Sequence, residues 1–197
     1  MAWERVFQAS LSGLLAILPA AADAGVRHGD ATIAVDTARS HIGFAIRTRY
    51  GQRLEGHFPR FAGQVDTLPD GRQRITVTLD AGSADIPGHP RYTRWMRGGD
   101  FFDAGAHPRI VFQSEPHSPH LGMTGGTVDG WLTLRGVRAP LRMQVSPAGC
   151  ARPGYDCAVT GKGEVSRTAH GMERWQLAVG DRVTFVLKVR LLDAGSR

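Results

Sequence analysis

Apolar and polar residues alternate with period two in six stretches of this chain. Ile42, Phe44 and Ile46 share one face, with His41, Gly43, Ala45 and Arg47 on the other. The same alternation sets Ile75, Val77 and Leu79 against Thr76, Thr78 and Asp80, and it recurs at Ile110 and Phe112, at Val128, Leu132 and Leu134, at Leu141, Met143 and Val145, and from Val183 to Leu191. Period two means strands with one buried face. Turn clusters such as Pro69-Asp70-Gly71 and Gly125-Gly126 separate the runs. About eight strands, each with one apolar face, predict an all-β sandwich or up-and-down barrel with a greasy interior. One segment reads as a helix. Pro90–Arg97, bounded by Gly88 and by Gly98-Gly99, has room for two turns, which packing must hold. Its Trp95 and Met96 are expected to fold over one end of the barrel.

Residues 1–24 fall outside this pattern. The apolar run Leu11–Leu18 followed by Ala22-Asp23-Ala24 reads as a secretory signal peptide. Glu4 cancels Arg5 in the flank, which keeps an N-terminal helix as the alternative. The run is shorter than the ~20 residues of a bilayer span. Residues 25–197 then form a single domain in the periplasm, and removal of the leader raises the formal charge of +6 by one. The two cysteines, Cys150 and Cys157, flank the turn signal Pro153-Gly154. An exported chain meets an oxidising compartment, so a Cys150–Cys157 disulfide is expected, worth about 2.5 kcal/mol for so short a loop.

Three segments in order resemble the YceI-like polyisoprenoid-binding family: Val35–Val65, with an Asp, a Ser40-His41 pair in inverted order and a later Gly; Asp100-Phe101-Phe102-Asp103 through Pro108, Ile110 and Phe112; and Gly130, Leu132 to Val137 and Pro140. The run Arg167-Thr168-Ala169-His170-Gly171-Met172 departs from the family's pattern at Ala169 and His170. If that turn shapes the barrel mouth, the departure alters headgroup or chain-length preference. The resemblance implies a lipocalin-like, extended antiparallel eight-stranded β-barrel that carries or sequesters a long-chain polyisoprenoid, such as a prenyl quinone or prenyl phosphate. It implies no reaction and no cofactor beyond that ligand.

An isoprenoid binds by burial, roughly 0.8 kcal/mol per CH₂, so apolar lining is the chemistry to look for. The candidate ligand-binding residues are Phe44, Ile46, Val77, Phe112, Leu132, Leu134, Met143, Phe185 and Leu187 in the lumen. Trp95, Met96 and Phe101, with Phe102, form a lid or a fixed plug at one end. The same lumen residues equally suit a dry core, in which case Leu134→Trp would destabilise the barrel instead of blocking uptake.

His117 and His120 are three apart, but Pro116 and Pro119 exclude a helix that would align them and no third ligand is near, so no metal site is expected. Ser40 and His41 are strand neighbours on opposite faces. Asp100 and Asp103 suit caps or solvent better than acid/base work. The arginines Arg47, Arg49, Arg53, Arg74 and Arg190 are dispersed. They suit transient contact with an anionic membrane surface or simple solubility. They lack the interleaved exposed aromatics of a nucleic-acid binder. Three functions stay open: a periplasmic lipid carrier, an enzyme on such a lipid with Arg167 or His170 at the mouth, and a ligand-free interaction barrel. Oligomeric state, a dimer included, is left open.

Overall fold

The computed structural model describes residues 31–193 except Gln176. Among them lie ten strands: β1 (Thr32–Ala34), β2 (His41–Thr48), β3 (Arg53–His57), β4 (Phe61–Thr67), β5 (Gln73–Asp80), β6 (Arg109–Ser114), β7 (Gly126–Leu134), β8 (Val137–Ser146), β9 (Val159–Ser166) and β10 (Val179–Val189). They form one antiparallel sheet in the order β1-β4-β5-β6-β7-β8-β9-β10-β2-β3.

Ten segments reduce to the eight expected strands because two strands are bent. β1 pairs with β4 and β2 with β3, so Thr32–Thr48 and Arg53–Thr67 are the two arms of one long hairpin. Each arm breaks once. In the first, Asp36 turns the chain by accepting the amides of Ala38 and Arg39, which suits an Asp in a turn. In the second the break falls at Pro59, which has no amide to give a ladder. Across the breaks the arms stay joined, Val35 N–H donating to Gly63 and Phe58 N–H to Ile42. The first arm also pairs with β10 and the second with β5. The sheet therefore curls back on itself as a lipocalin-like barrel, with the Val35–Leu191 bridge stitching the seam.

β9 is the strand that hydropathy hides. Its inward positions are Gly161, Gly163 and Val165, and a glycine carries no apolar signal. Gly163 is glycine for a reason of space, since a Cβ there would lie 2.3 Å from Met143 Sδ.

The first helix, α1 (Pro90–Arg97), occupies the expected residues. Proline suits its first position, and Arg94 and Arg97 suit its last turn. It buries Thr93 and Met96, and Thr93 Oγ1 accepts the Ile86 amide at 2.9 Å. Trp95 does not fold over the barrel end as expected. Adjacent helix positions point in different directions, and Met96 takes the inward one. Trp95 is left 39% exposed, stacked at 5.7 Å on Trp175 with Arg91 over its face.

Cys150 and Cys157 form a disulfide. It closes a loop tied to the end of β10, where Arg190 donates to the carbonyls of Tyr155 and Asp156 and Leu191 N–H to Gly154. A second short helix, α2 (Leu121–Thr124), lies at the same end. The leader expected over residues 1–24 lies outside the described residues.

Candidate functional site

The barrel has two unlike halves. At the end capped by α1, Phe44, Phe58, Phe102 and Phe185 pack ring against ring, with centroids 5.2–6.4 Å apart. Gly56 makes room for this cluster, because a Cβ there would lie 2.3 Å from the tip of Phe44. Ile46, Met96, Phe101 and Leu134 complete it, leaving a void of about 10 Å³, at the limit of what one water needs. Six of the sequence-predicted lining residues (Phe44, Ile46, Met96, Phe101, Leu134 and Phe185) therefore sit in a filled end. Met96, Phe101 and Phe102 are a plug. Leu132 lies at mid-barrel, beside a void of about 30 Å³.

The other half is open. A chamber of about 200 Å³ is walled by Val77, Phe112, Met143 and Leu187 together with Val35, Val65, Ile75, Val128, Val145, Val159, Val189 and Leu191. Its rim is made by Leu121 and Met123 of α2, Pro119, Gln73, His117 and Pro153-Gly154 of the disulfide loop. Phe112 and Met143 separate it from the mid-barrel void, which they also line. Gly130 and Gly163 make room for them, since a Cβ at either would lie 2.7 Å from Phe112 or 2.3 Å from Met143. Four of the twelve expected lining residues, Val77, Phe112, Met143 and Leu187, are thus brought together here. Trp95 is outside the barrel altogether. Ile75, Val145, Val189 and Leu191 share the apolar faces of those four in the sequence, but alternation tells which side a residue faces and not how far along the barrel it sits. Most rim residues come from loops and the single-turn α2, where no periodicity points to them, and Gln73 stands at the polar start of β5.

His117 is the unusual group of the chamber. Its backbone forms a two-way bridge with Gln73, both bonds at 2.9 Å, and its Nδ1 lies 3.0 Å from the Ser118 carbonyl. A carbonyl only accepts, so Nδ1 is the donor. Nε2 is buried with no hydrogen-bond partner, the only such side-chain atom among the described residues.

Arg167 and His170 lie at the filled end, away from the chamber, so the departure at Ala169-His170 does not shape the open mouth. Arg167 is 1% exposed. Its guanidinium donates to the carbonyls of Met172, Gly180, Arg174 and Val179, and its centre lies 5.8 Å from the Phe101 ring. His170 is 2% exposed, with Nδ1 3.2 Å from the Val137 carbonyl. Both are spent on holding the turn between β9 and β10. Asp100 accepts from Arg174 and from Trp175 Nε1. Among the described residues no group of three or more His, Cys, Asp or Glu is placed to hold a metal.

Burial pushes the pKa of His170 down, against a smaller upward pull from the carbonyls of Val137 and Leu134. Burial, then His57 and Lys188, moves His41 the same way. As pH falls, an unfolded histidine takes up a proton at its ordinary value while the folded one resists until lower pH, so the folded state loses stability across that interval. The Asp36 and Asp129 carboxyls, held low chiefly by hydrogen bonds from Arg39 and Arg142, act only below the ordinary carboxylate range. Urea midpoints are expected to fall between about pH 7.5 and about pH 5.5, and to fall less in His170→Gln. An unchanged pH dependence in that variant would exclude His170 as a source.

A family profile described as "YceI-like domain" matches residues 34–191. Similar proteins include a UPF0312 protein of Vibrio campbellii, 28% identical over 131 residues, covering 64% of this chain and 66% of that protein. Another is a UPF0312 protein of Shewanella oneidensis, 28% identical over 142 residues, with coverages of 70% and 73%. The first match thus spans just under two thirds of that relative's length. Among solved structures, BcnA of Burkholderia cenocepacia superposes with a TM-score of 0.64 at 26% identity, covering 79% of this chain and 98% of that one. A polyisoprenoid binding domain from Saccharophagus degradans, implicated in plant cell wall breakdown, gives 0.60 at 14% identity, with coverages of 83% and 99%. At that identity it shows a shared fold.

Proposed function

The chain belongs to the YceI-like family, and from that premise we propose that it is an exported, non-enzymatic carrier which holds part of an isoprenoid lipid in the open half of its barrel. The observation that carries this reading is the chamber of about 200 Å³ with apolar walls. An apolar cavity of about 150 Å³ is enough to take up benzene, so this one suits a quinone-sized ring or about two isoprene units. The remainder of a long chain leaves through the mouth or displaces Phe112 and Met143 toward the mid-barrel void. The polyisoprenoid-binding domain that shares the fold supports the ligand class. The disulfide supports export to an oxidising compartment such as the periplasm. A carrier needs no reacting group, and Arg167 and His170, the residues weighed for chemistry, are buried away from the chamber.

At the filled end, the exposed Trp95 and Trp175 stack on each other, with Arg91 over the Trp95 ring and Arg174 paired to Asp100. This amphipathic cluster suits transient contact with an anionic bilayer, which sedimentation with phosphatidylglycerol vesicles would reveal.

The carrier reading is tested by native mass spectrometry of the exported protein, followed by organic extraction. A bound species whose fragments step by isoprene units is expected, and the same spectrum gives the oligomeric state. A protein that arrives empty, and stays empty when offered prenyl quinones and prenyl phosphates, would point to a ligand-free interaction barrel instead.

A further inference from the structure

Inward from its mouth, the chamber ends on a layer of four side chains. Val77 of β5, Phe112 of β6, Met143 of β8 and Leu187 of β10 border both the chamber of about 200 Å³ and the void of about 30 Å³ beneath it. The strands between them carry glycines beside the layer. A Cβ at Gly130 of β7 would lie 2.7 Å from the Phe112 ring, and one at Gly163 of β9 would lie 2.3 Å from Met143 Sδ, so each glycine leaves the space that its large neighbour occupies. Below the layer, Leu79, Ile110, Leu132 and Leu141 close around the void, and beyond them the phenylalanine cluster leaves only about 10 Å³. A cavity that takes up benzene measures about 150 Å³. The void beneath the layer is about a fifth of that, so the Phe112 ring has no room to swing down, and a chain arriving from the mouth meets a floor.

Resting on the carrier reading, we propose that Phe112 and Met143 set the length of isoprenoid that the barrel buries, at about two isoprene units, and that the protein is thereby selective for short isoprenoid chains. Of the two routes open to a longer chain, out of the mouth or through the floor, the volumes leave only the mouth. Chain beyond the mouth is in water whether the lipid is bound or free, so it adds nothing to affinity. In a bilayer, by contrast, each further methylene strengthens partition about fourfold. A long isoprenoid therefore stays in the membrane, and a short one transfers to the protein. Both residues act by shape alone, as specificity-determining residues.

The test uses the full chain and the alcohols prenol, geraniol, farnesol and geranylgeraniol, one to four isoprene units long, titrated by calorimetry below the concentrations at which they aggregate. In the wild type, affinity is expected to rise at least about tenfold from prenol to geraniol and to change less than about threefold over the next two members. Phe112→Ala and Met143→Ala open the floor into the mid-barrel void, and in them farnesol is expected to bind about tenfold more tightly than geraniol. A wild-type affinity that is flat from prenol onward, one that keeps climbing with every unit, or a plateau that both folded variants leave where it was overturns the proposal and leaves lipid carriage standing. No binding of any alcohol removes both readings. NMR of the wild type with farnesol reads the floor without a substitution, so the test stands even if neither variant folds. The deepest ligand protons should show nuclear Overhauser effects to the Phe112 ring and the Met143 methyl and none to the methyls of Leu132 or Leu141, and contact with either leucine would overturn the proposal.

Discussion

Arg167→Met is expected to lower the stability of the barrel by about 3 kcal/mol or more. The reason is the number of groups that depend on one side chain. The carbonyls of Met172, Arg174, Val179 and Gly180 all receive their donor from this guanidinium. Methionine fills much of the volume and satisfies none of them. The site is neutralised from one direction only, by Asp181, while burial works against the charge and pushes the Arg167 pKa down. The charge is tolerated because carbonyl dipoles surround it, so removing it exposes those dipoles to an apolar end of the barrel containing Phe101 and Met172. Arg167→Lys should recover only part of the loss, since a point-like ammonium cannot reach carbonyls spread around a planar fork. Urea unfolding of the three proteins decides the matter. A loss under about 1 kcal/mol in Arg167→Met would mean that water replaces the guanidinium easily, and that the turn between β9 and β10 is not held from within.

The same turn shows where sequence reasoning stops. Arg167, Gly171 and Met172 are recognisable as a motif, yet nothing in their order says that the motif closes the end opposite the chamber. The strands rich in valine, isoleucine and phenylalanine are legible because every second residue is buried. β9 is not, because two of its three inward positions are glycines, and Gly163 makes room for Met143. Residues on one face are also legible as a set, and Ile75, Val77 and Leu79 do all point inward. Their height is not legible. Ile75 borders the chamber, Leu79, four residues on, borders only the mid-barrel void, and Val77 between them borders both. That division is imposed by Phe58, Phe101 and Phe102, which lie outside the strands. Whether such loop residues fill a lumen depends on how the connections fold back, and periodicity carries no information on that. The disulfide is the opposite case. Two cysteines flanking a Pro-Gly turn leave the chain little choice, and the pair forms as expected.

The filled and open halves can be separated by placing the same bulky residue in each. Leu134 is 1% exposed among the packed rings, beside a void of about 10 Å³. Leu134→Trp has nowhere to put an indole and is expected to cost about 1–3 kcal/mol by overpacking. Val145 is equally buried, at 6% exposure, but faces the chamber of about 200 Å³. Val145→Trp can turn its ring into that space, where burying it replaces empty volume with contacts, and a gain of about 1 kcal/mol is expected, typical of cavity filling. The same indole then occupies the volume the lipid needs, so isoprenoid uptake should fall at least tenfold while the melting temperature rises. The opposite signs matter more than either magnitude, because a barrel packed throughout would be destabilised by both substitutions. Thermal unfolding with lipid binding measured on the same samples gives both readings at once. If Val145→Trp were stable and still bound isoprenoid as the wild type does, the ligand would have to lie elsewhere, and the chamber would lose its claim to be the binding site.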